Sequence, residues 1–298
     1  MIFNIEFYLS EKRALINSYL KELYKSSPKD ESSLLDSINY TLNSEGKRLR
    51  PILCISACEF ISNEYKNVVG IACAIEMVHC YSLIHDDLPS MDDDSLRRGK
   101  PTNHVVFGEA AAILAGDALL ADAFSLISKE LVLNTSDINL ALEVISTLAD
   151  SIGSKGMVLG QAMDLYFEGK KEVDIETVRK IHFLKTGALI ESSILIGALI
   201  GRADKEEIEI LKEFSRKLGL SFQISDDILD ITGSKDFGKK PGSDARSDKT
   251  TYASILGLKK SRKLVKELTE EAINLLDKVR KESNSLREIA VYLSERAN

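Results

Sequence analysis

The sequence has little glycine and proline, with 17 and 5 residues in a chain of 298. So few turn-forming residues argue against a turn-rich β architecture. The chain also shows no sustained period-2 alternation of apolar and polar residues, no internal repeat and no linker long enough to separate two domains. What remains favours a single domain over residues 1–298.

Cysteine is also scarce. The four cysteines, Cys54, Cys58, Cys73 and Cys80, lack the spacing of a metal site or a disulfide framework, and we expect them to be reduced and buried. The net charge of −7, from 39 basic and 46 acidic residues, argues against a nucleic-acid surface. Anionic ligands would therefore have to be met by local basic clusters.

A leader and a membrane span are not evident either. The N-terminus shows no basic leader and no small-residue cleavage site. The most apolar run, 187–201, is interrupted by Glu191 and falls short of the roughly 20 residues that a spanning helix needs. We expect a soluble cytoplasmic protein without stable membrane insertion.

Nearly every segment has the periodicity of a helix. The predicted fold is all-α, a bundle of about ten or more helices. The predicted helices cover residues 3–24, 31–43, 52–61, 67–85, 110–133, 137–152, 156–168, 174–200, 205–231, 250–281 and 284–296.

Two clusters of acidic residues each follow an apolar run. The first contains Asp86, Asp87, Asp92, Asp93 and Asp94, and the second contains Asp226, Asp227 and Asp230. A single acidic run is more often a solvated helix end. Two runs placed by core-forming helices instead suggest one site filled by hard cations, and Mg²⁺ is commonly held by one or two carboxylates and substrate phosphates.

The spacing within each cluster suits shared ligation. Asp226 and Asp230 lie four residues apart and therefore leave one face of a helix, whereas Asp227 would be an outer ligand or a hydrogen-bond acceptor. In the first cluster, Pro89 separates Asp86 and Asp87 from Asp92. A bulge at this proline could align them.

Basic residues accompany these acids. Lys47, Arg48 and Arg50 form a cationic turn before a helix, where a helix N-terminus and guanidinium groups suit phosphate. The alternative is a solvated turn. Arg97 and Arg98 follow the first acidic cluster and could hold phosphate oxygens.

Other polar residues stand near these clusters. Lys185 and Thr186 interrupt an apolar helix, and a lysine there is costly unless it meets an anion. Gln223 lies one turn before Asp226. The loop 238–244 could close over a charged ligand or be a flexible surface loop. His79, seven residues before Asp86, would more often be a core residue if taken alone.

Together these runs resemble the signature motifs of trans-isoprenyl diphosphate synthases, most like short-chain bacterial members that form farnesyl diphosphate. The matches appear in the family's order over about residues 40–257. They are Gly46-Lys47-Arg48-Leu49-Arg50-Pro51, Ser82 to Asp92, Arg97-Arg98-Gly99-Lys100-Pro101-Thr102, Gly116-Asp117-Ala118-Leu119-Leu120, Gly160-Gln161-Ala162-Met163-Asp164, Lys185-Thr186 and Phe222 to Asp230.

The resemblance implies a helical fold around a deep central cavity, a homodimer, and head-to-tail condensation of isopentenyl diphosphate with an allylic diphosphate. It also implies about three Mg²⁺ ions, with Mn²⁺ as a possible substitute. The implied metal residues are Asp86, Asp92 and Asp226, supported by Asp87, Asp227 and Asp230. The implied allylic diphosphate residues are Arg97, Lys185, Lys239 and Lys249, with Thr186 and Gln223 facing the carbocation. The implied isopentenyl diphosphate residues are Lys47, Arg50, His79 and Arg98.

Product length is expected to depend on Tyr81 and Ser82. In a helix Tyr81 lies about 7–8 Å from Asp86, towards the floor of the implied cavity. Tyr81 and the insert Pro89-Ser90 match bacterial farnesyl-forming relatives. We therefore expect a C15 product, farnesyl diphosphate, with the C20 product, geranylgeranyl diphosphate, as the alternative.

Other classes fit the sequence less well. A non-catalytic regulatory subunit of a prenyl synthase should lack some acids, and both clusters are intact here. Enzymes that join prenyl chains head to head or cyclise them usually show different acidic motifs and lack the basic turn. The acids also lack the glycine and terminal glutamate of an EF-hand calcium module.

Overall fold

The computed structural model describes residues 3–25, 32–170, 173–233, 249–279 and 284–295. In these ranges the protein is all-α, as predicted, apart from one two-stranded hairpin. The helices are α1 (Ile5–Leu23), α2 (Ser32–Leu42), α3 (Leu49–Ser62), α4 (Val69–Asp86), α5 (Asn103–Phe107), α6 (Glu109–Asn134), α7 (Ile138–Ile152), α8 (Met157–Phe167), α9 (Ile175–His182), α10 (Ala188–Ile200), α11 (Lys205–Thr232), α12 (Tyr252–Leu256), α13 (Leu258–Leu276) and α14 (Ser285–Glu295).

Helix α5 was not predicted, and three further features differ from the predicted helices. The predicted helix 250–281 is divided at Gly257, whose φ of 79° is readily adopted only by glycine. The predicted helix 174–200 contains a π-helical turn, Phe183–Gly187, between α9 and α10. The hairpin of β1 (Leu96–Arg97) and β2 (Lys100–Pro101) was not predicted, because two residues are too few to show alternation.

Local capping fixes where several helices begin. The side chains of Asn4 and Asp137 accept hydrogen bonds from the third residues of α1 and α7. Helix α11 starts with a reciprocal capping box between Asp204 and Glu207. Each arrangement satisfies backbone N–H groups that have no partner within the helix.

The core is built around α4. This helix is apolar on nearly all sides, and its residues from Val69 to Val78 are all buried, as expected for a helix surrounded by others. It packs against α3 and α6, while α10 packs against α3, α7 and α11. The four cysteines are buried and free, as predicted. Because α4 ends at Asp86, the core itself positions the first acidic cluster.

The expectation about spanning helices needs correction. Three stretches, Lys66–Asp86, Glu109–Asn134 and Ile175–Ile200, are long and apolar enough to cross a membrane by length and composition. The expectation was based on the run 187–201 alone, and the helical stretch that contains most of this run begins earlier, at Ile175. In the first and third, 78% and 67% of the most apolar stretch is buried inside the protein. In Glu109–Asn134 the share is 39%, so α6 keeps an exposed apolar face.

Candidate active site

A cavity of about 980 Å³ lies among α3, α4, α8, α11, α14 and the π-helical turn. It brings together most of the residues that the sequence singled out. Those lining it are Lys47, Arg48, Arg50, His79, Tyr81, Ser82, Asp86, Asp92, Arg97, Arg98, Lys185, Thr186, Gln223 and Asp226. Asp87, Asp227, Asp230 and Lys249 are not part of its lining, and Lys239 lies outside the described residues.

The first acidic cluster folds back on the end of α4. The backbone N–H of Asp92 donates to the carbonyl of Asp86 at 2.9 Å, which brings both residues to the cavity although α4 ends before Pro89. Burial raises the pKa of Asp86 to about 6, even though Lys185 opposes this effect. One carboxylate oxygen of Asp92 is buried without a hydrogen-bond partner. Both acids are therefore placed where a cation would stabilise them.

Asp87 has a different partner from its neighbour. Its carboxylate accepts hydrogen bonds from the guanidinium of Arg97, with three contacts of 2.5–2.9 Å. Arg97 lines the cavity whereas Asp87 is almost fully buried behind it. Asp87 thus fixes the direction of an arginine that faces the site.

In the second acidic cluster, too, only part of the acids line the cavity. Asp226 lines the cavity, and Asp230 is buried one turn further along α11. Asp227 accepts a hydrogen bond from the backbone N–H of Tyr252 at 2.8 Å and lies 3.8 Å from His182. It therefore links α11 to the start of α12, the hydrogen-bonding alternative predicted for it.

Among the described residues, no group of three Asp, Glu, His or Cys side chains is close enough to hold a metal ion on its own. However, acids from both clusters face the same cavity. A cation between them would need further oxygen ligands from water or from a bound anion.

The basic turn before α3 contains two arginines whose side chains make different contacts. Arg48 is buried, and its guanidinium donates to Glu76, Asn17 and the carbonyls of Leu42 and Ser44 at 2.7–2.9 Å. Its backbone φ of 50° shapes the turn. The suggestion that Arg48 binds phosphate is therefore corrected, because the protein itself uses its donors.

Arg50 points into the cavity instead. Its Nη1 lies 3.3 Å from Nε2 of His79, and its buried Nε has no hydrogen-bond partner. Burial and the surrounding arginines hold the pKa of His79 well below its usual value. His79 is consequently a neutral neighbour of Arg50, and it belongs to the cavity rather than only to the core.

Lys185 and Thr186 both line the cavity because they lie on the π-helical turn. The turn packs against α8 on one side and α11 on the other, and the contact with α8 is much the closer. A Cβ atom at Gly160 on α8 would lie 2.2 Å from the backbone N of Lys185, and one at Gly219 on α11 would lie 3.4 Å from Cα of Gly187. Such one-turn π bulges often occur at functional sites.

Gln161 and Asp164, both on α8, belong to the site although the sequence predicted no role for either. Asp164 accepts hydrogen bonds from Lys185 at 2.7 Å and from Lys249 at 3.1 Å. Burial opposes its ionisation, but the two lysines outweigh burial and lower its pKa. The only sequence signal for Gln161 and Asp164 was the motif from Gly160 to Asp164, which contains both residues.

We expect Asp164→Asn to destabilise the ligand-free protein by about 1–3 kcal/mol, since it leaves two partly buried cations side by side. At roughly 2–4 °C for each kcal/mol, a melting curve will show the loss. Adding pyrophosphate with Mg²⁺ should narrow the gap from wild type, because it supplies the missing negative charge. Asp150→Asn, at an exposed acid on α7, is the control. A deficit that pyrophosphate does not reduce would contradict this account.

The chain is similar to known proteins over most of its length. Residues 31–291 match the family model described as polyprenyl synthetase. The chain is 44% identical to a protein named chloroplastic geranylgeranyl pyrophosphate synthase from Capsicum annuum, over 92% of this chain and 74% of that protein. It is also 44% identical to a geranylgeranyl diphosphate synthase from Cyanophora paradoxa, over 91% of this chain and 89% of that protein.

Solved structures agree with this result. A crystal structure described as an FPP/GFPP synthase from Zymomonas mobilis superposes with a TM-score of 0.87 at 36% identity, covering 99% of this chain and 100% of the other. The fold, the two acidic clusters on one cavity and these similarities lead to one conclusion. The chain belongs to the polyprenyl synthetase family and is a short-chain prenyltransferase.

Proposed function

We propose that this protein condenses isopentenyl diphosphate head to tail with dimethylallyl or geranyl diphosphate. The observation that carries the proposal is the cavity itself, in which Asp86, Asp92 and Asp226 face the same space as Lys185 and Arg50. Acids for cations and bases for phosphates are thus present in a cavity whose remaining wall includes apolar side chains such as Met157 and Leu165.

The acidic residues of the cavity fit a hydrated divalent cation such as Mg²⁺. The resemblance to the family suggests about three such ions and Mn²⁺ as a substitute. The carboxylates of Asp86, Asp92 and Asp226 are oxygen ligands of the kind that Mg²⁺ prefers, and the oxygen of Asp92 that accepts no hydrogen bond is suited to such a cation. When bound, the cations would neutralise the charge that develops on a departing pyrophosphate.

Two groups of bases suit two diphosphates. Arg97 and Lys185 lie beside the acids and would hold the allylic diphosphate, with Lys249 reaching within 3.8 Å of Asp92. Lys47, Arg50, His79 and Arg98 would hold isopentenyl diphosphate. Thr186 and Gln223 would direct oxygen dipoles at the allylic carbocation, a form of electrostatic preorganisation.

The names of the relatives favour a C20 product, geranylgeranyl diphosphate, over the C15 product expected from the sequence. One side chain supports C15 as a second candidate. Tyr81 lines the cavity on α4, is 7% exposed and packs edge-on against His85 with ring centroids 5.8 Å apart. A ring held at this place would limit how far a growing chain extends from Asp86.

Incubation with isopentenyl and dimethylallyl diphosphates and Mg²⁺, followed by chain-length analysis, tests both the proposed activity and the proposed product length. Products of 15 or 20 carbons would support the activity and decide between the candidates. Failure to extend any allylic starter in the presence of Mg²⁺ or Mn²⁺ would refute the activity.

We expect Tyr81→Ala to lengthen the main product by at least one isoprene unit, because it removes the ring from the cavity wall. Tyr81→Phe, which keeps the ring, should leave the distribution unchanged. Chromatography of the dephosphorylated products measures both variants. The same chain length in wild type and Tyr81→Ala would exclude Tyr81 from length control.

We also propose that a second copy covers the exposed apolar face of α6 and the start of α7. Leu114, Val132, Leu133, Ile138 and Leu142 are 57–82% exposed, and an exposed apolar face of this kind is typical of an interaction surface. Sedimentation showing only a monomer at micromolar concentrations would contradict this proposal.

A further inference from the structure

The side-chain amide of Gln161 is buried without any hydrogen bond. Gln161 is 8% exposed and lines the cavity, and neither its Nε2 nor its Oε1 has a partner in the described part of the chain. Leaving a buried polar group unpaired costs about 1–3 kcal/mol. The unpaired amide therefore destabilises the ligand-free protein, which is typical of a residue that binds a ligand.

The position of Gln161 is fixed by the helix that carries it. It follows Gly160, which packs against the backbone of Lys185, and it precedes by one turn Asp164, which holds Lys185 and Lys249. Residues three apart on a helix share a side. The amide thus stands on the same side of α8 as the carboxylate that organises the two lysines.

The chemistry of the amide limits what it can bind. An amide needs both an acceptor for its N–H groups and a donor for its oxygen. A fully ionised diphosphate offers only acceptors, and a prenyl chain offers neither. A diphosphate bound to a hydrated divalent cation offers both, because the coordinated waters donate while the phosphate oxygens accept.

We propose that Gln161 is a binding residue for the hydrated cation–diphosphate complex, with Oε1 accepting from a cation-bound water and Nε2 donating to a phosphate oxygen. This inference rests on the proposed function and adds to it a residue that distinguishes the metal complex from the free diphosphate. It also explains why the site retains an amide that the protein alone does not satisfy.

Gln161→Met tests the proposal, because methionine has a similar length and shape but no polar group. In the ligand-free protein we expect the melting temperature to rise, since an unpaired buried amide is removed. Calorimetry should show pyrophosphate with Mg²⁺ binding to this variant at least about 10- to 100-fold more weakly than to wild type, the range for one lost hydrogen bond to a charged group. Without Mg²⁺ the weakening should be smaller, because only the N–H contact is lost.

The other outcomes are informative. Equal affinity of both proteins for pyrophosphate with Mg²⁺ would overturn the inference, and so would a lower melting temperature with unchanged binding, which would make the amide structural. Equal weakening with and without Mg²⁺ would overturn the role of the cation-bound water. If wild type bound no pyrophosphate with Mg²⁺ and extended no prenyl chain, the proposed function would fail as well. Elongation by wild type together with equal affinity would refute the inference alone.

Discussion

Replacing Asp86 by asparagine should lower kcat by about 10³-fold or more while leaving the protein folded. A cation held by this carboxylate is expected to supply several kcal/mol of transition-state stabilisation, and each 1.36 kcal/mol is a factor of ten in rate. Asparagine has nearly the same shape. Because burial raises the pKa of Asp86 to about 6 in the ligand-free protein, removing its charge should not reduce stability. Steady-state kinetics at saturating Mg²⁺ and a melting curve measure both effects.

The matched control is Asp93→Asn in the same acidic cluster. Asp93 is exposed, does not line the cavity and has a φ of 50°, a backbone conformation that asparagine tolerates well. We expect its kcat to stay within about twofold of wild type, as for surface changes that touch no special feature. If Asp86→Asn retained more than a tenth of the activity, or if Asp93→Asn were equally damaging, the metal site would have to be placed elsewhere.

The second large effect is expected for Gly160→Ala. The new Cβ would lie 2.2 Å from the backbone N of Lys185 and 2.6 Å from its Cα, so the π-helical turn or α8 must move. A displacement of about 1 Å at catalytic groups can cost about 10²-fold in rate, and overpacking costs typically 1–3 kcal/mol. We therefore expect both kcat and the melting temperature to fall.

Gly219→Ala is the control on the opposite side of the same turn. Its Cβ would lie 3.4 Å from Cα of Gly187, an ordinary contact, and alanine is the better helix former by about 1 kcal/mol. We expect near-normal activity and equal or higher stability. Wild-type rates in Gly160→Ala would show that the close contact does not determine the position of Lys185 and Thr186.

The parts of the fold that could be predicted are those set by local pattern. Apolar periodicity located the long helices, and the burial of α4 followed from its lack of a polar face. The meeting of Asp86 and Asp226 at one cavity could be inferred because each follows a core-forming run. Each of these inferences depends only on residues that are close together in the sequence.

The parts that could not be predicted depend on distant partners or on backbone angles. Asp164 contacts lysines 21 and 85 positions away, so its neighbours in the sequence show a family motif but not the partners that define its role. Arg48 and Arg50 are the same residue type in one short run. The guanidinium of Arg48 is taken up by Glu76, which lies 28 positions away in the sequence, and by three further acceptors, whereas the Nε of Arg50 has no hydrogen-bond partner.

The hairpin at Leu96–Pro101 has a consequence for how the chain can vary. Its two-residue turn, Arg98-Gly99, has positive φ at both positions, and the adjacent guanidinium groups diverge, that of Arg97 to Asp87 and that of Arg98 to the carbonyl of Glu45. The Cα atoms of Arg97 and Arg98 are about 3.8 Å apart. Two adjacent residues therefore contact the acidic cluster on one side of the cavity and the segment that leads into the basic turn on the other. Inserting or deleting a single residue here would deprive one side of the cavity of its arginine, so the length of this hairpin is as constrained as the two side chains that it carries.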